Sequence, residues 1–204
     1  MATRSLTKIR RLELQKAAYE VAYKVGLNNT TVEQVARHAG ASKGMVHTYF
    51  DSKHQLLEYA MRYAYGILGR AARAKLKKAK TPSGRVWAIV EANFLPEILT
   101  PQFFRLWFEA VDNKRLSYVL GVFDRRMRSN MLYALKQLAV AGDEGELAYS
   151  IMNFYDGLWV LASTDRSLTR EIALAMIAEY INDLIPEFDL GKVRLDELPP
   201  RAER

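Results

Sequence analysis

Cysteine is absent, which excludes a disulfide framework and any cysteine-ligated metal site. Histidine is scarce: His38, His47 and His54 all lie in the first third of the chain, and no two stand at metal-binding spacing. No apolar run is long enough to span a bilayer, and the opening stretch MATRSLTKIRRLELQ lacks the apolar core of a signal peptide. A cytoplasmic protein with no membrane partner is therefore expected. A nucleophile elbow, a phosphate loop and a zinc motif are all missing. No catalytic residue, no metal and no cofactor is assigned, and the chain is not read as an enzyme. The alternating pattern of β-strands appears nowhere, so the expected fold class is all-α. The six prolines are scattered at turns and in the C-terminal tail.

What is present is a hydrophobic half, enough for a substantial core in 204 residues, and an uneven charge. Residues 1–80 hold 16 Lys+Arg against 5 Asp+Glu, whereas residues 81–204 hold 14 against 18. A basic module joined to a mildly acidic one implies that only the first meets a polyanion.

The basic module contains TVEQVARHAGASKGMVHTYFDSKHQLL, residues 31–57. Thr31 is an N-cap, and Glu33 suits the first turn of the helix it starts. Val32, Val35, Ala36 and Ala39 make one side of that helix apolar, and Gly40 ends it in a left-handed conformation. Ser42 caps a second short helix that runs to Phe50. Met45, Val46 and Phe50 are expected to pack inward, leaving Lys43, Gly44, His47, Thr48 and Tyr49 outward. Asp51 and Ser52 cap a third helix, with Lys53 at its start. Two short helices around a tight turn form a helix-turn-helix, whose second helix fits a DNA major groove. Ser42, Lys43, Gly44, His47 and Thr48 are the candidates for reading bases. Thr31, Tyr49 and Lys53 are the candidates for holding phosphates.

Thr31, Val35, Ala36, Ala39, Gly40, Ser42, Gly44, Tyr49, Phe50, Lys53, Leu56 and Leu57 together resemble the DNA-binding domain of the tetracycline-repressor (TetR) family. Many members carry an aromatic phosphate-contacting residue where this chain has His47, which can still donate to phosphate. Further along, EANFLPEILTPQFFRLWFEAV, RMRSNMLYAL and FYDGLWVLA are similar to the BetI type, the repressors of the betaine pathway. The resemblance implies a ligand-responsive transcriptional repressor, with choline or a related quaternary ammonium as effector and double-stranded operator DNA as partner. Two alternatives stand beside it. One is a TetR-type regulator of another process, such as efflux of lipophilic cations. The other is a helical small-molecule-binding protein or enzyme whose basic head is incidental.

About nine helices are expected in all. A basic arm over residues 4–11 precedes a first helix from about Thr7 to Val25. Long or medium helices follow from Lys53 to Lys78, Arg85 to Leu95, Gln102 to Val111, Leu116 to Val140, Glu146 to Thr164 and Thr169 to Leu184. The chain divides into a three-helix DNA-binding domain (1–53), a helical effector-binding and dimerisation domain (54–185) and a loose tail (186–204). The last two helices are apolar on more than one side and must bury more than one side. The resemblance implies a homodimer through them, and two-fold symmetry then implies a near-palindromic operator.

A quaternary ammonium has no hydrogen-bond donor and is held by aromatic faces with a carboxylate nearby. Trp107, Phe108 and Trp159, with Glu109 or Asp156, are the candidate cage. Asp156 is the odd polar residue among apolar neighbours: it is either a ligand anchor or a core carboxylate paired with an arginine such as Arg105.

Overall fold

A computed structural model describes residues 2–138, 140, 142–165 and 167–189, the side chains only from Leu6 onward. Among them are nine α-helices and no strand: α1 (Ala2–Val25), α2 (Val32–His38), α3 (Lys43–Tyr49), α4 (Lys53–Lys78), α5 (Pro82–Ala92), α6 (Pro101–Val111), α7 (Lys114–Leu138), α8 (Glu144–Thr164) and α9 (Arg170–Leu184).

Local chemistry explains most of these ends. Thr31 Oγ1 accepts the Gln34 N–H, and the Gln34 side chain accepts the Thr31 N–H, which closes a capping box at α2. Ser42, Thr81, Asp143 and Thr169 cap α3, α5, α8 and α9 by the same three-residue reach. Gly26 and Gly40 take φ values of 91° and 59°, the left-handed turns that let α1 and α2 stop. Helix α5 starts three residues before the expected Arg85, because Thr81 caps it and Pro82 fits the first turn. Helix α1 starts at Ala2, so residues 4–11 belong to a helix and are not an extended arm.

Two compact units result. The first joins Met1–Ile67 with Arg105–Phe123; the second joins Leu68–Phe104 with the chain from Asp124 onward. In the first unit, Leu14, Ala18, Val21, Val35, Ala36, Val46, Phe50 and Leu56 form a core beneath α2 and α3. A second cluster packs Ala22, Leu27, Leu57 and Met61 against Leu106, Ala110, Leu116 and Val119. In the second unit α8 and α9 pack together, burying Ile151, Tyr155, Leu158, Ala173, Ile177 and Ile181. The Phe154 and Tyr180 rings stack at 4.1 Å. On α8 the solvent side carries Tyr149, Asn153, Gly157 and Leu161 at four-residue spacing.

Of the tail expected to be loose, residues 190–204 lie outside the described residues. The part just before them is anchored: Phe188 is buried, and the Asp189 N–H donates to Ser83 Oγ at 3.0 Å. Among the described residues, no helix is long and apolar enough to cross a membrane.

Candidate functional site

Helix α3 buries a single side chain, Val46. Lys43, Gly44, His47 and Thr48 face solvent, with Ser42 at the cap and Tyr49 half-buried. Thr48 Oγ1 donates to the Gly44 carbonyl at 3.1 Å, which leaves its lone pairs outward. Lys43 is ion-paired with Glu33 of α2. That hydrogen bond is the main reason the Glu33 carboxyl sits below the usual carboxylate range. Thr31 is solvent-exposed, although its hydroxyl is engaged in capping α2.

Two expectations for this surface need correcting. Met45 does not pack inward; it is 37% exposed. Each residue turns a helix by about 100°, so with Val46 and Phe50 in the core its neighbour at 45 swings to the rim. The second concerns Arg11, one of the residues of the expected basic arm, which turns inward to aromatic rings. Its guanidinium lies 4.3 Å from the Tyr59 ring centroid and 5.5 Å from that of Phe50. Arg10 is the residue that reaches α3: its Nε and Nη2 lie 3.4 Å from Met45 Sδ, and Nη1 donates to Glu13 Oε2 at 2.7 Å.

Behind the surface, the first unit contains a main-chain clamp that local sequence gave no sign of. Leu106 and Ala110 of α6 enter the core beside Ala22 and Leu27. One position before each, Arg105 and Glu109 grip the end of α1. Arg105 Nη2 donates to the Tyr23 and Lys24 carbonyls at 3.2 and 2.9 Å, a cation at a helix C-terminus. Glu109 Oε2 accepts the Asn28 N–H at 3.0 Å, and Lys53 Nζ donates to the carbonyl of the same Asn28 at 3.1 Å. A Cβ on Gly26 would stand 2.7 Å from Glu109 Oε1, so both the φ and the carboxylate favour glycine there. Lys53 retains two N–H groups beyond this bond. Arg105 Nη2 is thus engaged at the end of α1.

In the second unit, Trp159 is buried and met by two rings of α6, Phe103 at 6.2 Å edge-on and Phe104 at 6.1 Å tilted. Neither phenylalanine was among the cage candidates. Of the cage expected from sequence, Asp156 and Trp159 belong to this unit, whereas Trp107, Phe108 and Glu109 belong to the first. Phe108 is 63% exposed and Trp107 half-buried. Asp156 is solvent-exposed on α8, between buried Tyr155 and exposed Gly157. Desolvation, with the charge of Asp124 adding, pushes its carboxyl up to about 7. The water that does reach it screens part of both effects. Beside it, burial also pushes the Tyr155 hydroxyl up. One turn beyond Trp159, Ser163 is buried, and its hydroxyl has no partner among the described residues.

Comparison with known proteins covers both regions. Residues 14–60 match the family described as bacterial regulatory proteins, tetR family. Residues 82–186 match the BetI-type transcriptional repressor C-terminal domain. An HTH-type transcriptional regulator BetI of Rhizobium meliloti is 32% identical over 179 residues, covering 85% of this chain and 88% of the relative. Its counterpart in Agrobacterium fabrum is 31% identical over 189 residues, covering 90% and 92%. A transcriptional regulator from Saccharomonospora viridis, solved in complex with choline, superposes with a TM-score of 0.75 at 19% identity, covering 86% of this chain and 96% of that one.

Proposed function

The chain belongs to the TetR family of transcriptional regulators, with a C-terminal domain of BetI type, and from that premise we propose that it is a choline-responsive repressor acting as a homodimer on a near-palindromic operator. Residues 1–53 are assigned to DNA and 54–185 to effector and dimer. The reading rests above all on α3: a capped, polar, glycine-containing helix with a single buried side chain, narrow enough to enter a major groove. Ser42, Lys43, Gly44, His47 and Thr48 read bases; Thr31, Tyr49 and Lys53 hold phosphates. Regulators of this kind work in the cytoplasm, where operator and metabolite meet.

For the effector, the buried Trp159 with Phe103 and Phe104 supplies aromatic surface for a quaternary ammonium, and Asp156, one turn before Trp159, supplies the opposite charge. Trp107, Phe108 and Glu109 of α6, the other members of the cage expected from sequence, belong to the first unit and are tested separately by substitution. The choline carried by the Saccharomonospora viridis regulator supports the choice of ligand. For the dimer, the stripe Tyr149, Asn153, Gly157 and Leu161 offers an uncovered face: nothing lies within 4 Å of a Cβ placed on Gly157. The effector alters DNA affinity only insofar as it binds one conformation better than the other.

The test is selection from a randomised duplex pool, followed by affinity measurement at two salt concentrations with and without choline. A palindromic consensus, a steep salt slope and a choline-dependent shift are expected. Failure to enrich any duplex would sink the repressor reading. A palindrome bound equally well with and without choline would remove the effector assignment alone.

A further inference from the structure

Met45 is out of place on a DNA-facing helix unless it has something apolar to meet. It stands between Gly44 and Val46, is 37% exposed, and the head core is complete without it. Methionine is unbranched and has three rotatable bonds, so an exposed one is ordinarily too mobile to discriminate between surfaces. This one is held. Two N–H groups of Arg10 point at its sulfur at 3.4 Å, and Glu13 anchors the same guanidinium from behind at 2.7 Å. A thioether donates no hydrogen bond and accepts only weakly, so neither a phosphate nor a base edge is its natural partner. The major groove offers one apolar group, the C5-methyl of thymine.

We infer that Met45, fixed by Arg10, reads a thymine methyl in each half of the operator. The inference rests on the DNA-binding reading above and adds a residue and a base feature to it. Met45 touches the base; Arg10 is a positioning residue for it.

The full-length chain is tested on the duplex selected from the random pool, with each thymine replaced in turn by deoxyuridine, which removes only the methyl. One symmetry-related position should weaken wild-type binding about fourfold, the amount one buried carbon is worth. The same replacement should leave Met45→Ala indifferent and Met45→Leu still sensitive. In Arg10→Ala the thymine-to-uracil ratio should shrink as well. That ratio separates positioning from simple loss of a cationic contact, which would lower both affinities alike. A duplex bound tightly with no uracil-sensitive position, or with the same sensitivity in Met45→Ala, overturns the inference and leaves DNA binding intact. Absence of any bound duplex overturns both together.

Discussion

Helices α3 and α8 display their informative residues in opposite ways. Helix α3 buries Val46 and turns the rest of its side chains to the edge or outward, so its polar face contributes little to holding the fold. Helix α8 buries Met152, Tyr155, Leu158, Trp159 and Ser163, and Trp159, assigned to the effector, is one of the side chains that fill the core. On the first helix, function and stability are carried by different atoms. On the second, Trp159 carries both with the same atoms, and a substitution there speaks of both.

The largest test of that contrast is Trp159→Ala. Removal of a buried indole costs about 3–5 kcal/mol, read as a lower urea midpoint. A variant that kept wild-type stability would mean that Trp159 lines an open site and is not core. At the other helix, Gly44→Ala should leave the fold alone, since the nearest contact to the added Cβ is Ser42 Oγ at 3.9 Å. Its melting point should hold or rise slightly, alanine being the better helix former by about 0.5–1 kcal/mol. Its operator affinity should nevertheless fall about tenfold, because the methyl stands between backbone and groove. Unchanged affinity would place Gly44 off the DNA.

Lys53→Ala should cost less, about fivefold at low salt, and should lower the log–log salt slope by about one across all sequences. A loss confined to one sequence would move Lys53 from phosphate to base. The smallest effect concerns Asp156. Its carboxyl titrates at about 7 in the folded chain, against an ordinary value of about 4. The folded state therefore binds the proton more tightly, and Asp156 costs no stability below pH ~4 but an increasing amount as pH rises toward ~7. Asp156→Asn should raise the urea midpoint more at pH 8 than at pH 5, by under about 1 kcal/mol after solvent screening. A bound cation favours the ionised form, so choline affinity should rise with pH through about 7 in the wild type and stay flat in Asp156→Asn. A flat profile in both would take Asp156 out of the effector site.

The same contrast decides what could be read from sequence. Thr31, Ser42 and Gly40 act on neighbours one to four residues away, and the structure finds each at a cap or turn where it was expected. The end of α4 at Lys78 and that of α8 at Thr164 were legible for the same reason. Met45 and Arg11 were not. Helical spacing identifies which residues share a face, but α3 buries only Val46 fully, with Tyr49 packed beside it, and which side chains a short helix buries depends on the helices beneath. Arg105 and Glu109 were further out of reach: their partners lie 81 or 82 positions earlier, and all three are main-chain atoms, which leave no trace in residue identity. The pairing of Trp159 with Phe103 and Phe104 was hidden likewise, since aromatics at helical spacing look alike whether they meet a ligand or one another.

The clamp at the end of α1 has a consequence for how such a protein can diversify. Arg105, Glu109 and Lys53 hold the Tyr23 and Lys24 carbonyls and both polar groups of the Asn28 peptide. Every one of these is backbone, so the grip does not depend on which side chains occupy positions 23, 24 and 28, and none of these bonds goes to α3. A lineage could exchange its recognition residues to follow a drifting operator, or an engineer could graft the α2–α3 segment of another regulator, while this joint continued to seat the replacement.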